Sequence, residues 1–225
     1  MPCGIGSERA PHIMAATLCT PVGDVRGRIR TTMVYSGLIK ALWLVLFAYW
    51  MIAAIGVKRN AGTRRRWKEG GLRLGVILLG LLALRTVPVV RHSLQDAQAY
   101  MAGSLLIGAI GVVFCVAGVG LALWARVHLG RNWGMPMSTK ESPELVTTGP
   151  YAFVRHPIYT GVLLAMFGSS IGENAFWVLP LVLFGAYFVY SARREEELMM
   201  KQFPEQYPAY MRRTNMLLPR IFRRS

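Results

Sequence analysis

The chain is poor in charged residues, and acidic residues are the scarcer kind. Only 16% of its 225 residues are charged, and 26 lysines and arginines stand against 11 aspartates and glutamates. A soluble domain carries about a quarter charged residues, so this composition argues against a soluble protein. The net charge of +15 is typical of nucleic-acid-binding proteins, but no basic stripe interleaved with stacking aromatics lies outside the apolar blocks. We therefore expect no nucleic-acid partner.

Cysteine and nucleotide-binding motifs are also scarce. The cysteines are Cys3, Cys19 and Cys115, an odd number at wide spacing, with one inside an apolar run. This pattern fits neither a disulfide framework nor a zinc site, and we expect no bound metal. The sequence has no Walker loop, no G-x-G-x-x-G after a strand, no H-E-x-x-H and no G-x-S-x-G. Any nucleotide-derived cofactor is therefore not held by a Rossmann unit.

Apolar residues are abundant, and they are gathered into blocks. They make up 53% of the chain, with a mean hydropathy of +0.36. The blocks predict membrane-spanning helices at 34–57, 74–90, 101–125, 158–171 and 175–190. The last two are short and are separated only by Gly172-Glu173-Asn174, which predicts a tight helical hairpin. The expected fold class is an all-α integral membrane protein with about five transmembrane helices.

The same pattern suggests three regions and an orientation. Residues 1–33 show no sustained hydrophobic period and are expected to form a disordered leader, 34–100 hold the first two spans, and 101–225 hold the polar motifs. Seven basic residues lie in 58–73, four in 126–157 and eight from 192 onward, against one in 91–100. Basic loops face the cytoplasm, so these three rich segments are expected there. The arginines at 26, 28 and 30 argue for the opposite orientation.

The motif "VRHPIYTG" stands where an apolar block begins. Pro157 suits the first turn of a helix, whose N-terminus offers free N–H groups and a partial positive charge. Arg155, His156 and Tyr159 add a guanidinium, an imidazole and a phenol, which together suit a carboxylate or other anion at the membrane surface. The same residues also suit a plain interfacial anchor for the helix. Taken alone, the motif supports both interpretations.

The tail "ARREEELMMKQFPEQYPAYMRRT" supplies three adjacent glutamates. They are typical of a solvated helix start, although such carboxylates also accept hydrogen bonds from ribose hydroxyls in nucleotide sites. Tyr207 and Tyr210 are spaced to share one face of a helix. His128, which follows the third span, is on its own more typical of an interfacial polar residue than of a catalytic one.

In combination these segments resemble one family. The order "LGRNW", "ELVTTGPYAFVRHPIYTG", a hairpin, "EE", "F…Y..Y" and "LLP" is similar to the isoprenylcysteine carboxyl methyltransferases and the related membrane phospholipid methyltransferases, over about residues 101–220. The resemblance implies that 101–225 is a catalytic region with a cytoplasmic S-adenosylmethionine pocket, and that Arg155, His156 and Tyr159 are catalytic. The cofactor-binding residues that it implies are His128, Gly149, Tyr151, Arg155, His156, Tyr159, Glu195 and Glu196.

Two departures from the family pattern accompany the match. Glu197 leaves open which adjacent pair of glutamates is used, and Pro204 replaces a usual glycine. The expected function is methylation of a lipid-like or prenylated acceptor at the membrane surface, most simply on a carboxylate. The alternatives are a thiol or amine head group, an NADPH-dependent sterol-reductase-like enzyme, and a membrane assembly protein without turnover. The expected partners are the bilayer and an amphiphilic or isoprenoid-like substrate, with the oligomeric state left open.

Overall fold

The described part of the chain is helical. The computed structural model describes residues 22–55, 87, 88, 92, 104–130 and 145–219. Within these ranges the α-helices are α1 (Val22–Ile55), α2 (Leu105–Leu129), α3 (Pro157–Gly172), α4 (Val178–Gln202) and α5 (Gln206–Arg213). Three stretches are long and apolar enough to cross a membrane, namely Arg30–Ala53, Leu105–Leu129 and Ala175–Gln202, and Pro157–Gly172 is a shorter apolar helix. The predicted all-α membrane class is confirmed.

The N-terminal predictions are only partly covered. Helix α1 begins at Val22, so its first turns overlap the leader predicted over 1–33. The predicted second span, 74–90, lies outside the described residues apart from Val87 and Pro88. The division into 1–33, 34–100 and 101–225 stays a prediction.

Capping residues set the ends of α2. The hydrophobic block predicts a helix over 101–125, but α2 begins and ends later along the chain. The Ser104 side chain accepts a hydrogen bond from the Ile107 N–H at 3.3 Å, which satisfies one of the free donors of the first turn. Gly130, with φ of 49°, follows the last turn, where a left-handed residue ends many helices.

Small residues bring α2 and α3 into backbone contact. A Cβ added to Gly118 would lie 2.4 Å from the Ala165 nitrogen, and one added to Gly111 would lie 2.4 Å from the Gly172 nitrogen. Such close approach of two membrane helices requires residues without bulky side chains. The contacts pair early residues of α2 with late residues of α3, so the helices are antiparallel. The end of α2 therefore lies beside the start of α3.

Helix α1 packs across this pair through a buried apolar cluster. Ile39, Trp43 and Leu46 lie in one core with residues of α2 and α3. The Trp43 indole donates a hydrogen bond to Ser169 Oγ at 3.0 Å and stacks on Trp177 with ring centroids 5.1 Å apart. These contacts attach α1 near the turn between α3 and α4.

Helix α4 extends well beyond the predicted span of 175–190. Pro180 lies in its first turn, where proline is tolerated, and no proline follows before Pro204, just after the helix ends. The expectation that the glutamates start a helix is therefore wrong, because Glu195 and Glu196 lie on the same continuous helix as the apolar residues. Since α3 and α4 form a hairpin, these carboxylates lie beside the start of α3.

Candidate functional site

Five of the predicted site residues meet at the open end of the α3–α4 hairpin. Arg155 Nε donates a hydrogen bond to Glu196 Oε1 at 2.6 Å, and both side chains are buried. His156 Nε2 lies 3.3 Å from the same oxygen, and its Nδ1 lies 3.5 Å from Glu195 Oε2. The Tyr159 hydroxyl donates to Glu195 Oε1. We refer to these five residues as the carboxylate cluster.

Three aromatic rings run through the cluster in a nearly parallel stack. The His156 and Tyr159 rings have centroids 5.5 Å apart and an interplanar angle of 5°. The Tyr159 and Phe188 rings are 4.5 Å apart at 6°. Phe188 was not predicted as a site residue, because an aromatic residue inside an apolar block gives no sequence signal that separates it from core or lipid-facing residues.

His156 is placed to carry a positive charge. Burial lowers its pKa, but the hydrogen bonds and negative charges of Glu195 and Glu196 outweigh burial, and the pKa of His156 lies above its usual 6.5. Each ring nitrogen faces a carboxylate oxygen, and only the imidazolium can donate from both nitrogens. The cluster therefore balances two cations, Arg155 and His156, against two carboxylates.

Arg155 is also bound to the segment that follows α5. Its Nη1 donates to the Thr214 carbonyl and lies 3.5 Å from the Met211 carbonyl oxygen. The main chain joins the same segment, since the Arg155 N–H donates to the Asn215 carbonyl at 2.9 Å. We call residues 214–217 the C-terminal segment. Carbonyl acceptors are available at any residue type, so this contact had no signal in the sequence.

Two further hydrogen bonds, one from the main chain and one from a side chain, hold the C-terminal segment against the start of α3. The His156 N–H donates to the Met216 carbonyl at 3.1 Å, and Thr160 Oγ1 donates to the Leu217 carbonyl at 2.7 Å. The backbone on both sides of the Arg155–His156 pair is thus fixed by residues near the end of the chain.

His128, Gly149 and Tyr151 form a second group beside the cluster. His128 Nε2 lies 2.9 Å from Thr148 Oγ1, and the His128 and Tyr151 ring centroids are 6.5 Å apart. Gly149 has φ of 60°, and a Cβ there would lie 2.7 Å from the imidazole, so glycine is needed for this turn. The Tyr151 carbonyl accepts from the Tyr210 hydroxyl at 2.6 Å. Burial raises the pKa of the Tyr151 phenol, which therefore keeps its proton.

Two predictions about the tail are resolved by the geometry. Glu197 pairs with Arg194 at 2.8 Å, and both side chains are about half exposed, so Glu195 and Glu196 are the adjacent pair that faces α3. Tyr207 and Tyr210 are both buried on one face of α5, as predicted from their spacing. Among the residues that the structure describes, no group of three or more His, Cys, Asp or Glu could hold a metal ion.

The fold and this cluster define a class of helical membrane protein with a paired-carboxylate site at one end of a hairpin. Residues 106–206 match the phospholipid methyltransferase family. This stretch contains α2, the His128 group and the whole carboxylate cluster. The resemblance seen in the sequence is confirmed.

Individual relatives cover parts of the same region. The chain is 28% identical over 151 residues to the nickel-cobalt-cadmium resistance protein NccN of Alcaligenes xylosoxydans xylosoxydans, covering 66% of this chain and 65% of the relative. It is 29% identical over 120 residues to the protein-S-isoprenylcysteine O-methyltransferase of Tribolium castaneum, covering 50% of this chain and 41% of the relative.

A third similarity is shorter and somewhat higher in identity. The chain is 36% identical over 74 residues to methanethiol S-methyltransferase 2 of Bradyrhizobium diazoefficiens, covering 33% of this chain and 28% of the relative. The chain therefore spans less than two thirds of the length of each of these curated relatives.

Proposed function

We propose that the chain is an S-adenosylmethionine-dependent methyltransferase that acts on a lipid-like or prenylated acceptor at the membrane surface, most simply by carboxyl O-methylation. The observation that carries the proposal is the carboxylate cluster, in which His156 lies between Glu195 and Glu196. The match of residues 106–206 to a methyltransferase family supports it.

The residues present fit S-adenosylmethionine as a cofactor. A carboxylate has about four acceptor positions, and Glu195 uses one oxygen for Tyr159 while its side chain stays 22% exposed. It can therefore accept from ribose hydroxyls, as acidic residues do in other nucleotide sites. When bound, the cofactor supplies a methyl group on a positively charged sulfonium.

The role of Arg155 follows from its contacts. Its Nε donates to Glu196, and its Nη1 faces the carbonyls of Met211 in α5 and Thr214 just after it. We propose that Arg155 holds Glu196 and the start of α3 in place and contributes positive charge. Methyl transfer is an in-line displacement that depends mainly on the positions of donor and acceptor, so rigid placement of these groups is what the protein supplies.

The protonation of His156 favours an acceptor that needs no base. An acceptor carboxyl group, with a pKa near 4, is already ionised at neutral pH. An amine or thiol must instead give up a proton. Because the neighbouring carboxylates raise the pKa of His156, this imidazole stays a cation to higher pH than a free histidine and is less available to take a proton from an acceptor. The positive charges of His156 and Arg155 offset the repulsion that Glu195 and Glu196 would exert on a carboxylate acceptor.

The position of the cluster suits an amphiphilic acceptor. It lies where the apolar helix α3 begins and where the apolar part of α4 has given way to charged residues. A substrate with its tail in the bilayer reaches such a site with its head group. The excess of basic residues in 126–157 and from 192 onward supports a cytoplasmic orientation for it.

S-methylation is the second candidate, supported by the 36% identity to a methanethiol S-methyltransferase. It would need thiolate formation by a group other than a protonated His156. The two candidates differ in the product. A radiolabelled methyl group on a carboxylate is released by mild base, whereas a thioether keeps it.

The first test is calorimetric titration of the detergent-purified protein with S-adenosylhomocysteine, with NADPH as the control ligand. Micromolar binding of S-adenosylhomocysteine alone supports the proposal. Turnover is then compared on a prenylated cysteine with a free carboxylate, on its methyl ester and on methanethiol. An NADPH signal without S-adenosylhomocysteine binding would replace the proposal with a reductase, and binding of neither would indicate a protein without turnover.

A further inference from the structure

Phe188 is the one ring of the aromatic stack that has no polar group. It lies on α4 and stacks on Tyr159, with centroids 4.5 Å apart and planes 6° from parallel. It also packs against Phe184 at 5.8 Å and Tyr187 at 6.0 Å. Phe188 therefore separates the polar cluster from the apolar part of the α3–α4 interface.

The geometry of Tyr159 depends on the rings stacked against it. Its hydroxyl donates to Glu195, and because the O–H bond of a phenol prefers the plane of its ring, the direction of that donation follows the ring plane. The terminal torsion of a tyrosine is broad and roughly two-fold, so packing has to fix this plane. His156 and Phe188 both stack nearly parallel to the ring.

We infer that Phe188 is a positioning residue that fixes the Tyr159 ring so that its hydroxyl holds Glu195 for cofactor binding. This rests on the proposed function, in which Glu195 receives ribose hydroxyls. Tyr159 occupies one oxygen of Glu195, and the second oxygen faces His156. Without Phe188 the phenol loses its fixed orientation, and the Glu195 carboxylate loses a fixed donor.

The first experiment compares variants by their dissociation constants for S-adenosylhomocysteine. Phe188→Leu removes the ring and keeps most of the volume, and should weaken binding about twofold to tenfold, the worth of a stacked aromatic pair. Phe188→Tyr keeps an aromatic ring and should bind S-adenosylhomocysteine nearly as tightly as the wild type does. Unchanged binding in Phe188→Leu, or equal loss in the leucine and tyrosine variants, overturns the inference.

Phe184→Leu is the matched control on the same helix. Phe184 packs against Phe188 and the core that contains Trp43 and Met166. Its replacement should lower the melting temperature and leave the affinity for S-adenosylhomocysteine within about twofold of wild type. An affinity loss equal to that of Phe188→Leu would show a general packing effect and would overturn the inference.

A double-mutant cycle tests whether Phe188 acts through the hydroxyl of Tyr159. Tyr159→Phe keeps the ring and removes the hydroxyl. In that background Phe188→Leu should have little further effect, since coupled residues are non-additive. The same fold loss in both backgrounds would overturn the inference, because it would show that Phe188 contributes independently of the Tyr159–Glu195 bond.

The same cycle in the absence of ligand separates this inference from the proposed function. Tyr159→Phe should lower the melting temperature of the apo protein more in the wild-type background than in Phe188→Leu. If the wild type binds no S-adenosylhomocysteine, the proposed function fails and this apo cycle still decides the inference. Additive melting temperatures overturn it even where binding is normal.

Discussion

The α3–α4 hairpin carries partly or fully buried carboxylates at both ends, and their partners differ. At the turn, Glu173 accepts from Trp177 Nε1 at 3.1 Å and from Ser36 Oγ at 3.2 Å, with Lys40 Nζ at 3.4 Å. At the open end, Glu195 and Glu196 lie on either side of one imidazole. Glu173 faces donors on α1 and on the hairpin turn. At the open end, two adjacent glutamates instead face His156, a group that titrates.

The comparison shows how contacts separate a structural carboxylate from a functional one. Both ends place ionisable residues at the margins of apolar helices, so position alone does not tell them apart. The Trp177 indole and the Ser36 hydroxyl, which donate to Glu173, do not titrate near neutral pH. Their hydrogen bonds attach α1 to the hairpin turn. The open end instead pairs its carboxylates with an imidazole, whose proton responds to what binds nearby.

The largest expected effect comes from breaking the open end. Arg155→Ala leaves the buried Glu196 carboxylate without its guanidinium, and removing one partner of a buried ion pair costs about 3–5 kcal/mol. We expect methyl transfer to fall by at least about 100-fold, and Glu196→Gln to have a similar effect. Turnover and S-adenosylhomocysteine binding of the purified variants, with melting temperature as a check on folding, measure this.

Glu197→Gln is the matched control for that prediction. Glu197 is the next residue on α4, and its pair with Arg194 is about half exposed. Such surface pairs contribute little, so activity should stay near wild type. Unchanged turnover in Arg155→Ala and Glu196→Gln, or a large loss in Glu197→Gln, would contradict the placement of the site.

A stability effect without an activity effect is expected at the turn. Glu173→Ala removes the acceptor for the Trp177 indole and the Ser36 hydroxyl, and should lower the free energy of unfolding by about 1–3 kcal/mol. The affinity for S-adenosylhomocysteine should stay within about twofold, because α3, of 16 residues, puts about 24 Å between the ends. Thermal unfolding and calorimetry in the same detergent test both parts. A large loss of affinity would show that the two ends are coupled.

A smaller effect should appear as a pH dependence of stability. Because the folded state raises the pKa of His156 above 6.5, the imidazolium stabilises the fold fully below the unfolded pKa. That contribution is lost as the pH rises through the folded pKa. The melting temperature of the wild type, relative to His156→Gln, should therefore fall from about pH 6.5 upward. Parallel pH profiles of the two proteins would show that His156 is not held as a cation.

The smallest effect is expected at Lys40. Its ammonium is 67% exposed and lies 3.4 Å from Glu173, and exposed ion pairs contribute about 0–1 kcal/mol. Lys40→Ala should change stability by less than about 0.5 kcal/mol and leave turnover unchanged. A complete loss of activity would mean that the site lies at the turn and not at the open end.

The sequence predicts those features that depend on residue type and spacing. The Arg-His-Pro-x-Tyr motif and the adjacent glutamates predict the groups that meet at the open end, and the apolar blocks predict α2, α3 and the start of α4. The apolar block predicts that α4 ends near residue 190, before the charged residues. The helix continues to Gln202 because charged residues do not stop a helix, whereas Pro204 does.

Other features depend on contacts that residue types do not encode. Whether Glu195 or Glu197 faces α3 is set by the rotation of α4, which three identical residues cannot reveal. Phe188 resembles any other aromatic residue of an apolar block. The acceptors of Arg155 are carbonyl groups of Met211 and Thr214, and every residue has one.

The hydrogen bonds between Arg155 and residues that follow it by more than fifty positions have a consequence for biosynthesis. Membrane helices enter the bilayer as the chain is made, so Arg155 and His156 are in place at the membrane surface before residues 211–217 leave the ribosome. Until then the guanidinium lacks the carbonyls of Met211 and Thr214 beside it. The site can therefore be completed only after these residues have emerged, and a chain that stops before residue 211 retains its apolar helices but lacks part of the frame around Arg155.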